Sequence, residues 1–212
     1  MSLSAKLLIF MWEFETALFD KGIESIAGVD EAGRGPWAGP VVAAAVIVPR
    51  NYKFCSKITD SKKLNPRQRR KAFEEITGRC LYSYAVADQE YIDRYNILNA
   101  TLFAMAQAVN MLKSPPGWVI VDGPYKPEIP FPCTAVIDGD AKSISVACAS
   151  IVAKVIRDEM MCEYDKQYPQ YGFSGHKGYG TKAHSEAIMK YGPCPLHRKS
   201  FRPIKEFLEN TK

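Results

Sequence analysis

The run Val29-Asp30-Glu31-Ala32-Gly33-Arg34-Gly35-Pro36-Trp37-Ala38-Gly39-Pro40, followed by the apolar stretch Val41 to Val48, decides how this chain is read. Ile26 to Val29 has the character of a short apolar strand that delivers two adjacent carboxylates into a Gly/Pro loop. Val41 to Val48 is apolar almost throughout, as a strand covered on both faces would be. Two glycines flanking an arginine let backbone amides approach a sugar-phosphate closely, while Arg34 supplies a planar cation. A Gly-rich turn alone usually means a tight turn; the acid pair in front of this one raises its value.

Outward from this stretch, strands and helices mix in an α/β order. On the N-terminal side, Leu7, Met11, Phe14 and Leu18 follow helical spacing and predict an amphipathic helix ending near Gly22. On the C-terminal side, Pro49 to Asn65 reads as a polar, basic loop. Asn65-Pro66 is an N-cap followed by proline at the first helical position, which predicts a helix to about Gly78. Cys80 to Ala87 alternates like a strand. Two helices follow, the second carrying Leu98, Leu102, Met105 and Val109 on one face. Trp118 to Val121 is a short apolar strand ending in Asp122-Gly123, and Cys133 to Ile137 another, ending in Asp138-Gly139-Asp140. A long helix is expected from about Ser143 to Tyr164, then a Gly/aromatic loop from Tyr168 to Gly180. Thr181 caps a helix that stops at Gly192-Pro193, and Ile204 to Leu208 forms a last short helix.

Composition bounds the class. The chain has 212 residues, 47% hydrophobic and 24% charged, which excludes disordered, collagenous and fibrous proteins. A chain of this length buries roughly 70% of its unfolded surface, so its core needs no staples. The net charge of +5 conceals a division. Arg50 to Lys71 carries nine Lys/Arg and one acid, and His176 to Lys212 carries eight Lys/Arg and three acids, so the remainder is strongly acidic. Two basic blocks around an acidic middle fit a polyanion held over a carboxylate cluster, although such blocks are also common as plain solvated surface. The six cysteines form no C-x-x-C pair and have no histidine at zinc-finger offset. They read as reduced, mostly buried thiols of a cytoplasmic protein. The run Lys6 to Trp12 is too short for a signal sequence and continues into Glu13-Phe14-Glu15. No stretch of about 20 apolar residues exists to span a membrane.

The acids at Asp30-Glu31, Asp122 and Asp138/Asp140 all lie at expected strand ends, where α/β sheets keep their sites. Carboxylates converging there repel unless protonated or bridged by cations. Oxygen-only ligation favours Mg2+ or Mn2+ over zinc. Two such ions about 3.5 to 4 Å apart support phosphodiester hydrolysis. A single Asp-Gly more often just caps a turn; the set as a whole reads otherwise.

Several motifs now give a resemblance. They are D-E-A-G-R-G-P from Asp30, D-S-K-K-L from Asp60, V-D-G from Val121 and G-D-A-K-S from Gly139. A-S-I-V-A-K-V-I-R-D from Ala149, H-K-G-Y-G-T from His176 and H-R-K-S-F from His197 complete the set. In this order, and spanning about Val29 to Phe201, they closely resemble ribonuclease HII, the type 2 ribonuclease H family. The resemblance implies an RNase H-like α/β fold, a central mixed sheet flanked by helices, with a helical C-terminal extension. Residues 1–165 would form the catalytic domain and 166–212 a substrate-binding extension. It implies cleavage of RNA in RNA/DNA hybrids and of ribonucleotide-containing duplex DNA. Asp30, Glu31, Asp122 and Asp140 would hold two Mg2+ or Mn2+ ions. Gly33, Arg34 and Gly35 would contact the ribonucleotide 2′-hydroxyl, and Tyr179 would stack near the adjacent deoxyribose. Lys62, Lys63 and Lys177 are placed to hold phosphates. Asp138 and Asp140 are two apart, so a strand would turn both to one face; the family pattern selects Asp140 and leaves Asp138 accessory. The resemblance also implies a monomer, and Phe201 to Lys212 carries no sliding-clamp pattern of glutamine followed by paired aromatics.

Two rivals share parts of this pattern. Another RNase H-fold nuclease, ribonuclease HIII or a junction resolvase, would share the carboxylates. Arg34, Pro36 and the lack of room for an N-terminal substrate-binding domain argue against ribonuclease HIII. A non-catalytic duplex-binding module would share the basic blocks but would not need the acids. Other candidates are weaker. Cys194 with His197 lacks any oxyanion loop and reads as a core thiol and a surface imidazole. His184 has no evident catalytic duty. Lys154, Arg157 and Asp158 share a helical surface, where a Lys154–Asp158 pair gives a few tenths of a kcal/mol. Tyr168, Tyr171 and Phe173 are a stacking platform or, equally, loop packing.

Overall fold

A computed structural model describes residues 11–210. Leu7 of the expected N-terminal helix, most of the Lys6 to Trp12 run, and Thr211-Lys212 lie outside the described residues. The helix itself is α1, Glu13–Phe19. A five-stranded sheet follows, built from β1 (Ile26–Ala32), β2 (Val41–Ile47), β3 (Leu81–Ala87), β4 (Trp118–Asp122) and β5 (Cys133–Val136). Its order is β3-β2-β1-β4-β5. β1 and β2 pair antiparallel, as do β2 and β3, whereas β4 lies parallel to β1 and β5 parallel to β4. This is the mixed sheet flanked by helices that the resemblance implied.

The helices are α2 (Pro66–Arg79), α3 (Gln89–Asn110), α4 (Gly139–Lys142), α5 (Ile144–Gln167), α6 (Phe173–His176), α7 (Lys182–Tyr191) and α8 (Arg202–Asn210). Asn65 caps α2 in a reciprocal box, taking the Gln68 amide at 2.9 Å while the Gln68 side chain takes the Asn65 amide at 3.1 Å. α3 breaks at Asn96 (φ 66°, ψ 166°), whose side chain accepts from the amides of Leu98 and Asn99, so the two expected helices are the halves of one kinked element.

β2 is buried along its whole length, and its alternate residues serve two cores. Ala44 and Val46 face α5 and α2, and Val41, Ala43 and Ala45 face α3. α5 lies so close under β1 that a Cβ on Gly28 would fall 2.0 Å from the Ser145 carbonyl carbon. At its start, Glu15 of α1 accepts from both Ser143 and Ser145, a carboxylate placed on a helix N-terminus. A third core gathers Ala38, Met161, Tyr171, Phe173, Ile188, Leu196 and Ile204, tying the C-terminal segment to the glycine loop. α5 itself runs past residue 165 into that segment. Of the cysteines expected to be mostly buried, only Cys80 and Cys148 are; Cys55 is exposed and the other three are half-buried.

Candidate active site

The sheet register assembles the acids. β1 extends three residues beyond its expected end, because Asp30, Glu31 and Ala32 pair with Ala44, Ala43 and Val42 of β2. Asp30 and Glu31 therefore lie within the strand rather than after it. Val29 stands beside Val121 in the parallel neighbour, so the next residues, Asp30 and Asp122, are side by side on the face toward α5. Asp122 accepts the Gly139 amide at 2.7 Å, which brings α4 and Asp140 to the same edge. Asp140 is not on a strand. β5 ends at Val136, Asp138 turns the chain with φ 55°, and Asp140 sits in the first turn of α4. The two acids thus do not share a strand face: Asp138 is exposed, while Asp140 is half-buried against Asp122.

Burial, then the charges of Glu31 and Asp122, hold the Asp30 carboxyl well above the usual carboxylate range, against a hydrogen bond from Ser150. Burial raises Glu31 as well; the facing Arg34 guanidinium, 3.5 Å away, pulls it down and Asp122 pushes it up. Asp140 is raised by burial and by Asp60 and Asp122, and lowered by Lys62 and Lys63. Among the described residues no three Asp, Glu, His or Cys side chains are gathered tightly enough to hold an ion as they stand. The donor set nevertheless suits a hard cation: it is all oxygen, and its charges disfavour one another until a positive charge is placed between them.

The D-S-K-K turn docks onto this cluster. Ser61 Oγ meets Ser150 Oγ at 3.0 Å, and the Arg69 side chain holds the Ser61 and Leu64 carbonyls at 2.9 and 2.8 Å. Lys62 and Lys63 are exposed beside Asp140. Asp60, whose charge also acts on Asp140, is a member of the cluster that sequence reasoning did not single out.

Tyr179 stands over the glycine loop: a Cβ on Gly35 would lie 3.7 Å from its ring, and the residue is 44% exposed. Its segment is held by all three histidines of the chain. The Cys194 amide donates to His197 Nδ1 (2.9 Å), His197 Nε2 meets His184 Nε2 (3.0 Å), and His184 Nδ1 donates to the Tyr179 carbonyl (2.9 Å). His197 Nδ1 also lies 3.2 Å from the Cys194 carbonyl oxygen, and burial lowers both His184 and His197 to about 4. His176 takes the Gly178 amide on Nδ1 and donates to the Tyr171 carbonyl from Nε2. His197, expected on the surface, is buried because its ring packs against Tyr171 and Phe173, which belong to the third core rather than to an exposed stacking platform. Lys177 is brought to the same segment, but its ammonium turns back to the Ser174 carbonyl (2.6 Å) and Cys162 sulfur (3.0 Å). Lys154 pairs with Asp158 at 2.6 Å as expected, whereas Arg157 leaves that surface and lies buried under the glycine loop. Arg157, expected on that helical surface, and Arg198, expected only as part of the H-R-K-S-F motif, are both buried, and a buried arginine whose partners are backbone carbonyls gives no pattern in sequence.

This mixed sheet carries acids on β1, on β4 and on the helix that follows β5, and comparison with known proteins places the chain among the metal-dependent endoribonucleases of the ribonuclease H class. The family model described as Ribonuclease HII matches residues 27–204, and the chain belongs to that family. A Ribonuclease HII of Geobacter metallireducens is 52% identical over 197 residues, covering 92% of each chain. The ribonuclease H2 of Pyrococcus horikoshii OT3 superposes with a TM-score of 0.75 at 27% identity, covering 88% of this chain and 98% of its own. A Bst-RNase HIII in complex with Mn2+ shares the fold at a TM-score of 0.63 and 21% identity, over 89% of this chain and 70% of its own. The family is divalent-metal dependent, and its activity implies an RNA/DNA hybrid as substrate. Among the described residues no helix is long and apolar enough to cross a membrane.

Proposed function

We propose that this enzyme hydrolyses the RNA strand of RNA/DNA hybrids and also cuts 5′ of a single ribonucleotide embedded in duplex DNA, leaving a 3′-hydroxyl and a 5′-phosphate. The observation that carries this reading is the placement of Tyr179 and the Gly33-Arg34-Gly35 loop together, directly after the strand that bears Asp30 and Glu31. A recogniser of a ribose and its neighbour thereby adjoins the acids. Asp30, Glu31, Asp122 and Asp140 hold two divalent cations, Mg2+ or Mn2+. When bound, these supply the Lewis acidity that activates water and stabilises the leaving oxygen.

The chain's own residues do the rest. The exposed backbone of Arg34 and Gly35 meets the 2′-hydroxyl, the group that separates RNA from DNA. Arg34 favours the charged form of Glu31 against its burial. Tyr179 packs on the adjacent deoxyribose, so a ribonucleotide followed by DNA fits best. Lys62 and Lys63 hold phosphates over the acids, and Lys177 does so after releasing Ser174. Residues 166–212 act as the substrate-binding extension of the catalytic domain. The enzyme works as a cytoplasmic monomer.

The test is a labelled duplex carrying one ribonucleotide beside the same duplex in all-DNA form. Cleavage of the first alone, restored after EDTA by Mg2+ or Mn2+, is expected. Binding without cleavage under either ion would instead favour a duplex-binding module.

A further inference from the structure

The glycine loop is shaped from beneath by two arginines that form no salt bridge among the described residues; Asp158 and Asp93 act on Arg157 and Arg198 only from a distance. Arg157 is 1% exposed and Arg198 0%. Arg198 donates from Nε to Gly39 O (2.9 Å), from one terminal nitrogen to Arg34 O (2.9 Å) and Pro36 O (2.7 Å), and from the other to Gly33 O (2.6 Å). Arg157 donates to the carbonyls of Pro40 (2.9 Å), Ala38 (3.2 Å) and Lys177 (3.0 Å). The Arg198 amide donates to the Trp37 carbonyl at 2.8 Å. Seven of the eight carbonyls from Gly33 to Pro40 are thus turned inward onto these two residues, the exception being Gly35.

Burying a guanidinium without a counter-charge is costly, and hydrogen bonds to carbonyl dipoles only partly offset it. A fold needing only a stable turn would reach one with backbone hydrogen bonds. What this arrangement adds is direction. Arg34 and Gly35 are themselves exposed; the Arg34 carbonyl is held from below, and the Gly35 carbonyl is the one in this stretch that neither arginine takes. A lysine cannot substitute, because its three donors radiate from one atom and cannot reach Gly39 and Gly33 from opposite edges of a plane.

We propose that Arg198 is a positioning residue for ribonucleotide recognition: its fork orients the Gly33-Arg34-Gly35 backbone so that the outward groups of Arg34 and Gly35 pair with a 2′-hydroxyl. This rests on the reading of that loop as the 2′-hydroxyl contact. Arg157 is its support from below, touching no carbonyl between Gly33 and Pro36.

The test is fluorescence anisotropy in EDTA, so that binding is read without cleavage, with a duplex carrying one ribonucleotide and its all-DNA counterpart. For Arg198→Lys the ratio of the two dissociation constants falls at least tenfold toward one, while the all-DNA affinity stays within about twofold. Arg157→Lys keeps most of the parent ratio. Equal weakening of both duplexes, an unchanged ratio, a larger loss in Arg157→Lys than in Arg198→Lys, or loss of the cooperative melt in Arg198→Lys each overturns the proposal. A parent enzyme that does not itself discriminate refutes the reading of the loop, and the positioning role with it. A discriminating parent beside an equally discriminating Arg198→Lys refutes the positioning role alone.

Discussion

Adding one methyl group at Gly33 or at Gly35 should separate shape from recognition. Gly33 has φ +101°, and a Cβ there would lie 2.0 Å from Arg157 Nε and 2.7 Å from the Pro40 carbonyl oxygen. Left-handed backbone costs a non-glycine residue about 1–2 kcal/mol, and displacing a buried, hydrogen-bonded arginine adds at least as much. Gly33→Ala should lose about 3 kcal/mol, which is a fall of roughly 6–12 °C in Tm for a domain of this size. Gly35 is different. Its φ is not positive, and a Cβ added there would have Tyr179 Cε1 as its nearest neighbour at 3.7 Å, an ordinary contact. Gly35→Ala should melt within a degree or two of the parent, or slightly above it through a less free unfolded chain. Yet the new methyl stands where a ribose would approach. Losing one well-made hydrogen bond there costs about 2 kcal/mol, a roughly thirtyfold fall in kcat/KM. Thermal melts by circular dichroism and initial rates on a duplex with one ribonucleotide measure both. A Gly35→Ala enzyme that cuts at the parent rate, or that melts as low as Gly33→Ala, would refute the reasoning.

Three further outcomes follow from the acids and the histidines. Asp140→Asn should abolish cleavage and Asp138→Asn leave most of it, since Asp138 is an exposed turn residue; rates on the same duplex decide, and the reverse order would undo the assignment. Asp30→Asn should inactivate the enzyme yet raise its Tm in EDTA at neutral pH, because burial and two neighbouring carboxylates disfavour the Asp30 charge; a lower Tm would show that the repulsion is absent. His184 and His197 should stay neutral until near pH 4, visible by NMR of the imidazole carbons. A folded pKa below the unfolded value of about 6.5 means that their contribution is whole above that pH and is lost as pH falls from there toward 4. The first proton taken up by the pair opposes folding by about 3 kcal/mol. Titration of either ring near pH 6.5 would show that burial does not hold the pair neutral.

Much of this was legible in the residues. The apolar run after Pro40 announced a fully covered strand, Asn65-Pro66 a helix start, and three Asp-containing stretches a set of strand ends. Acids need not sit beyond the last apolar residue of a strand. Polar residues extend β1 because the antiparallel ladder with β2 continues past Val29, and Asp140 left its strand because Asp138 turns the chain before it. The resemblance supplied Asp30, Glu31, Asp122 and Asp140 as a group. The parallel register of β1 and β4 explains why two of them meet. Residues acting through tertiary contact stayed hidden: Asp60, Ser150, Arg157, Arg198 and the three histidines have roles that depend on segments distant in the chain. His197 looked like a surface imidazole because no local pattern shows that His184, thirteen positions earlier, faces it.

The central claim is that the 2′-hydroxyl is recognised rather than used as the nucleophile, and that the bond cut lies 5′ of the ribonucleotide. Mapping the ends produced from a duplex with one ribonucleotide tests it directly. The account predicts an upstream fragment ending in a DNA 3′-hydroxyl and a downstream fragment whose first residue is the ribonucleotide bearing a 5′-phosphate. A cut on the 3′ side, leaving the ribonucleotide with a 2′,3′-cyclic phosphate, would contradict it.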